Sequence, residues 1–270
     1  MSLLPASARV AWWGTAWLRG RIGPDECLDG VLGRTPQKAG SEPAVHDADV
    51  HDADAHDADV AHVVVTEGSA EPLLLELGAL RGAGVTALAA AFPATGDPVG
   101  LRGPAALTAE AIDQGEAVLA LGTDRAWVPY RVGRAVEWVP YPANRRPPPD
   151  LGEADRELRG ALLAAADALA ALDVASWRPE VADELHDLRA GAPVAAPAGT
   201  PQRAVDVVGR ALHLRAVVEM ALLDDGGALS VGEAARRRAA LEPLERAVRR
   251  ALTAACSPDG WPPEPGTGKR

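Results

Sequence analysis

Apolar positions along this chain change period several times, and each change marks an element. Within residues 6–19, Val10, Trp13 and Trp17 recur at helical spacing, and Trp12 and Leu18 widen the same face. That pattern predicts an amphipathic helix. After Gly20-Arg21-Ile22-Gly23, a second helix opens on Pro24, with Asp25 and Glu26 at the positive end of its dipole. Cys27, Leu28, Val31 and Leu32 give it a short apolar side. Two helices around a glycine turn have the outline of a helix-turn-helix, yet the second shows Asp25, Glu26 and Asp29 and no arginine before Arg34. Phosphate contacts need positive charge, so the expectation is a helical hairpin whose tryptophans pack on the rest of the protein.

The period then shortens. Residues 61–66, A-H-V-V-V-T, have strand composition and end at Glu67-Gly68. Ser69 is the expected N-cap of a helix through Arg81, in which Leu73, Leu74, Leu77 and Leu80 form one side and Gly82 the stop. Residues 85–92 are almost wholly apolar and read as a second strand, which makes a parallel, right-handed β-α-β unit the expectation. The loop of residues 93–104 holds three prolines and three glycines, so neither helix nor ladder continues through it. Thr108 then reads as an N-cap, Gly115 as the stop, and residues 116–121 as a third strand. The tetrad W-V-P-Y occurs at residues 127–130 and again at 138–141, on either side of Gly133-Arg134. This is a two-residue hairpin with Trp127 and Trp138 on one face, and Pro129 and Pro140 assign it to the edge of the sheet. The tryptophans are read as covering the sheet rather than as a binding platform.

Beyond N-R-R-P-P-P-D at residues 144–150 the pattern is helical throughout. Leu158, Leu162, Leu169 and Leu172 form a stripe in a helix over residues 153–172; Pro179 opens another with Val181, Leu185 and Leu188. Thr200-Pro201 starts a long helix to Leu223, apolar on two sides, in which Arg215 and Glu219 are spaced as a structural ion pair. A capping box at residues 230–233 opens the last helix, whose stripe is Leu241, Leu244, Val248 and Leu252; Pro243 is expected to kink or restart it. Arg236, Arg237, Arg238, Arg246, Arg249 and Arg250 make it the concentrated basic region, with acidic partners expected within the chain.

The fold class is therefore α+β: a small α/β region of 3–5 strands, including a C-terminal edge hairpin, preceded by a helical hairpin and followed by an all-α helical bundle. The expected organisation is a helical hairpin over residues 1–34 packed on the α/β region and an acidic disordered linker over 35–59. An α/β domain follows over 60–143, a proline-rich linker over 144–152, a helical bundle over 153–256 and a disordered tail over 257–270.

Composition narrows the function. With 270 residues, 47% of them hydrophobic and 24% charged, the chain has a globular profile. A formal net charge of -11 argues against a broad nucleic-acid surface and against binding to anionic membranes. No apolar stretch reaches 18 residues, and the N-terminus lacks the basic-then-apolar order of a signal peptide, so a cytoplasmic protein is expected. Cys27 and Cys256 are too few and too far apart for a zinc set or a disulfide framework.

Candidate chemistry is sparse. Strand, glycine-bearing loop and helix start are how α/β proteins present a site, and in the loop 93–104 Thr95, Asp97 and Arg102 are the candidate ligand contacts. The glycines have neither phosphate-loop nor dinucleotide spacing. His46, His51 and His56 lie in a tandem repeat of H-D-A-D and are candidate weak metal ligands. A five-residue period puts them on different sides of a helix and on alternate sides of a strand, which favours a solvated acidic linker. His62, at a strand start, reads as a hydrogen-bonded structural histidine. No nucleophile–base pair, carboxylate dyad or phosphate loop has a recognisable spacing, and no cofactor is expected. The reading is a non-catalytic partner-binding or regulatory protein that leans away from an enzyme, with an unidentified protein partner and homo-oligomer formation left open. The alternative is a small-molecule-binding protein or enzyme that uses the loop 93–104.

Overall fold

The computed structural model describes residues 4–34, 59–171, 194–223 and 231–261. Helix α1 (Ala6–Leu18) lies at its centre and is buried along its whole length, not on one face. The residues account for this: between Ala6 and Leu18 the polar side chains are Ser7, Arg9 and Thr15, so nearly every direction around the helix is apolar. Helix α2 (Pro24–Leu32) packs on it where the Trp13 indole rests on Gly30; a Cβ there would sit 1.9 Å from Trp13 Nε1.

Six strands form one mixed sheet: β1 (Ala61–Thr66), β2 (Ser69–Pro72), β3 (Leu88–Ala91), β4 (Ala117–Ala120), β5 (Arg125–Val132) and β6 (Ala135–Pro142). Their order is β2-β1-β6-β5-β4-β3, and β1 with β6 is the parallel pair. Helix α3 (Leu73–Gly82) follows β2, and α4 (Ala105–Gln114) precedes β4. One face of the sheet, with Trp127 and Trp138, packs against α1 and α3 in the main core; the other, with Ala126 and Val128, packs against Leu107 and Ala111 of α4. Helices α5 (Leu151–Ala171), α6 (Gln202–Leu223) and α7 (Val231–Ala255) pack together, α7 against both of the others.

The α+β class stands, with three local corrections in the sheet. Residues 69–72 form a strand rather than the first turn of a helix, because Glu67-Gly68, with Gly68 at φ 85°, folds the chain straight back on β1. Helix α3 therefore starts at Leu73, and β3 runs antiparallel to β1 at the far edge, so no parallel β-α-β unit forms. The W-V-P-Y hairpin turns at Gly133-Arg134 with both tryptophans on one face, but it is central instead of peripheral. The prolines fit because neighbouring strands are short: β4 pairs with β5 only at Ala126 and Trp127, and β1 reaches β6 only as far as Trp138. Pro129 and Pro140 thus lie where their strands have one ladder partner each.

Helix ends shift as well. Helix α4 begins at Ala105 behind Pro104, so Thr108 sits in its first turns and not at its cap. Helix α7 continues through Pro243. Disorder was expected from Ser257, yet a 3-10 turn, Pro258–Gly260, follows α7, Ser257 and Pro258 are buried, and Trp261 Nε1 donates to Ala255 O at 2.9 Å. The predicted capping box at residues 230–233, the helix after Pro179 and the repeat at residues 45–59 fall wholly or partly outside the described residues.

Among the described residues no strand lies beside the outer edge of β3, and helices close it. Leu88 N–H donates to Thr15 Oγ1 at 2.9 Å, and the same hydroxyl donates to Leu88 O at 3.2 Å. Ala90 N–H donates to Cys256 O at 2.9 Å, and Phe92 N–H to Thr253 Oγ1 at 3.2 Å. The outward N–H groups of Leu88, Ala90 and Phe92 thus find their partners on α1 or at the end of α7, which blunts this edge against pairing with another chain.

Candidate functional site

Arg9 is the charged residue that α1 carries into the core, and a buried guanidinium must be satisfied. Its Nε donates to Leu4 O at 3.1 Å, Nη1 to Val31 O at 2.6 Å and Nη2 to Asp59 Oδ2. Asp59 is buried and takes two further bonds, from His62 Nε2 at 2.9 Å and from Arg131 Nη1 at 3.0 Å. Trp138 Nε1 completes the chain by donating to His62 Nδ1 at 3.1 Å. An indole only donates and a carboxylate only accepts, so the His62 tautomer is fixed: Nε2 carries the proton and Nδ1 is bare. Both ring nitrogens are engaged, and burial lowers the histidine's pKa below its ordinary value. Burial opposes ionisation of Asp59, but the bonds from His62 and Arg9 and the Arg9 charge outweigh it and hold the carboxyl well below the usual range. This is a structural clasp that joins α1, α2 and the sheet.

Beside the clasp a cleft of about 510 Å³ opens at one end of the sheet, between the β3 and β4 ends and helices α6 and α7. Phe92 and Pro93 enter it from the end of β3, Glu116 from the start of β4, and Arg131 from β5. Leu212 and Ala216 of α6 face Val248, Arg249 and Leu252 of α7 across it. Glu116 is half-buried, and its Oε2 accepts a bond from Ser7 N–H at 2.8 Å; burial raises its carboxyl pKa despite that bond. At the rim Arg215 Nε donates to Glu219 Oε1 at 2.7 Å, the pairing expected from their spacing, though on the exposed side. Arg249 is less well served: its nearest carboxylate oxygen, Asp97 Oδ2, is 3.7 Å away, and its Nε is buried without an acceptor among the described residues.

The loop 93–104 is folded on itself. Ala94 and Asp97 exchange two backbone hydrogen bonds, of 3.0 and 2.9 Å, which leaves Thr95 exposed at the tip. The Asp97 side chain turns inward to Arg249 and to Arg250, whose Nη2 donates to Oδ1 at 3.3 Å. Arg102 is exposed, and its carbonyl accepts Asn144 N–H at 2.7 Å. Of the three residues, Asp97 reaches a cleft residue. His46, His51 and His56 lie outside the described residues, and among the described ones no group of three or more His, Cys, Asp or Glu is placed to hold a metal. Among the described residues no helix is long and apolar enough to cross a membrane.

Sequence reading missed Arg9, Asp59, Glu116, Arg131 and Arg249. Asp59 was assigned to the linker, yet it is ordered and buried, with its N–H on Leu32 O at 2.9 Å. The signal was Arg9, a lone cation in an otherwise apolar helix, which required a buried acid somewhere. His62, three residues beyond Asp59, marked where that acid sits.

Family models for Rv1486c-like proteins match the chain in two consecutive stretches, the N-terminal-domain model over residues 7–151 and the C-terminal-domain model over residues 152–253. Two Mycobacterium tuberculosis proteins are similar along their length: Uncharacterized protein MT1533 of strain CDC 1551 / Oshkosh and Uncharacterized protein Rv1486c of strain ATCC 25618 / H37Rv. Each is 28% identical over 291 residues, covering 95% of this chain and 98% of the relative. No solved structure gives a significant match.

Proposed function

The chain belongs to the Rv1486c-like protein family, and from that premise we propose that it is a non-catalytic binding protein of the cytoplasm that receives its ligand or partner in the cleft between the sheet end and helices α6 and α7. The observation that carries this reading is the cleft itself. Its volume of about 510 Å³ lies in the range of small-molecule sites, and its wall mixes apolar side chains with polar ones, six of them charged.

Among the described residues, His62 and both cysteines are poorly suited to turnover. His62 has both nitrogens bonded, and the buried thiols are held protonated, Cys27 pushed up to about 12 by burial and the neighbouring Glu26, Cys256 raised by burial. Free, buried cysteines also suit a reducing compartment. In this reading the loop 93–104 has a supporting part. Pro93 lines the cleft, Asp97 positions Arg249, and Thr95 and Arg102 are what a larger partner meets on the outside.

The test is a thermal-shift screen of the full chain against a metabolite and peptide panel, run beside Ala216→Trp, which fills the cleft from α6. A ligand at 100 times its dissociation constant stabilises a protein by about 2.7 kcal/mol. A hit whose shift disappears in Ala216→Trp supports the cleft as the site. Hits that shift both proteins equally sink it.

A further inference from the structure

Resting on the reading that the cleft is a binding site, we propose that its ligand is a small organic acid, an apolar body that carries a single anionic head group, and that Arg249 holds the head group. The apolar body has its place among Phe92, Leu212, Val248 and Leu252. The head group has its place at Arg249, where an unfilled demand is visible. Arg249 lines the cleft with 23% of its side chain exposed, and its ion-pair partner Asp97 stands at 3.7 Å, beyond hydrogen-bond distance. A guanidinium whose ion-pair partner is not hydrogen-bonded still has exposed N–H groups to offer, and it matches an incoming carboxylate through parallel bonds.

The other charges of the lining bear on the choice. Arg131 is bonded to Asp59 and Arg215 to Glu219, so neither arginine is as free as Arg249. Glu116 is raised by burial toward its neutral form, in which it opposes an anion less and can donate a hydrogen bond. Glu245 also lines the cleft and limits how much negative charge it admits. That residue favours a monoanion over a phosphate dianion or a dicarboxylate.

A pair of probes with the same bicyclic body and opposite charge tests this on the full chain: 1-naphthoate and 1-naphthylmethylammonium, each titrated against wild type, Arg249→Gln and Ala216→Trp. Naphthoate is expected to bind wild type at least tenfold more tightly than the ammonium probe. Arg249→Gln is expected to weaken naphthoate at least tenfold without weakening the ammonium, while Ala216→Trp blocks both. If the ammonium binds as tightly as naphthoate, or Arg249→Gln leaves naphthoate unaffected while Ala216→Trp still blocks it, the anion assignment is wrong and the cleft reading survives. If Ala216→Trp blocks neither probe, the cleft reading itself falls. Should Arg249→Gln fail to fold, Arg249→Lys takes its place: it keeps the charge but not the paired donors, and a naphthoate affinity unchanged from wild type overturns the assignment.

Discussion

Replacing Thr15 by valine keeps the shape of the side chain and removes the hydroxyl that serves the edge of β3. In the native protein this oxygen accepts Leu88 N–H at 2.9 Å and donates to Leu88 O at 3.2 Å, and both residues are buried, Leu88 completely. Valine offers neither bond, and water has no access to replace them. Each orphaned buried group costs about 1–3 kcal/mol, so Thr15→Val is expected to destabilise by about 2–4 kcal/mol after partial relaxation. Thr15→Ser is the discriminating control, because it keeps the hydroxyl and loses one methyl, worth about 0.8 kcal/mol. Urea unfolding followed by tryptophan fluorescence measures both, and hydrogen exchange at the Leu88 amide gives an independent local reading. Valine must cost more than serine, and the Leu88 amide must lose protection in the valine variant. If serine proves the more damaging substitution, Thr15 matters for its volume, and the hydrogen-bonded account of the edge is wrong.

Two further outcomes follow from the clasp and from helix packing. Because burial lowers the pKa of His62 in the folded state, protonation favours the unfolded chain; the histidine's contribution is complete above its unfolded value of 6.5 and is lost as pH falls toward the folded one. The stability difference between wild type and His62→Gln should therefore shrink below that pH by up to about 1.4 kcal/mol per unit, and a difference that stays flat from pH 7.5 to 5 contradicts the assigned tautomer. Using the difference cancels His213, also lowered by burial, and Glu116, which is raised and acts with the opposite sign. Gly30→Ala places a Cβ 1.9 Å from Trp13 Nε1 and should cost at least about 2 kcal/mol, whereas Gly78→Ala, on α3 with nothing within 4 Å, should be neutral or gain about 0.5–1 kcal/mol. Equal effects at the two glycines in urea melts would show that the α1–α2 contact is not tight.

Legibility in the sequence followed the range over which each signal acts. The helix starting at Pro24 and the hairpin at Gly133-Arg134 depend on neighbours a few residues away, and both formed. Strand order depends on what the far ends of the chain do. Pro129 and Pro140 spoke for an edge, but the edge they occupy is local, created by the shortness of β4 and β1, and that length is not written in the hairpin itself. Glu67-Gly68 was legible as a stop, yet reading it as the end of a strand instead of a reversal turned β2 into helix. The cleft was least legible. Its walls come from residues between Leu4 and Leu252, and Arg249 stood out in the sequence only as one of six arginines on a helix.

The closure of β3 also bears on how the protein is made. Phe92 and the Thr253 hydroxyl that receives its N–H are 161 residues apart. At synthesis rates of about 5–20 residues per second, that interval lasts roughly 8–30 s. Throughout it the nascent N-terminal half carries a strand edge whose last partners have not been translated. Until α7 is made that edge stays open to pairing with another strand, so a chain truncated near residue 151 is expected to self-associate more than the full chain.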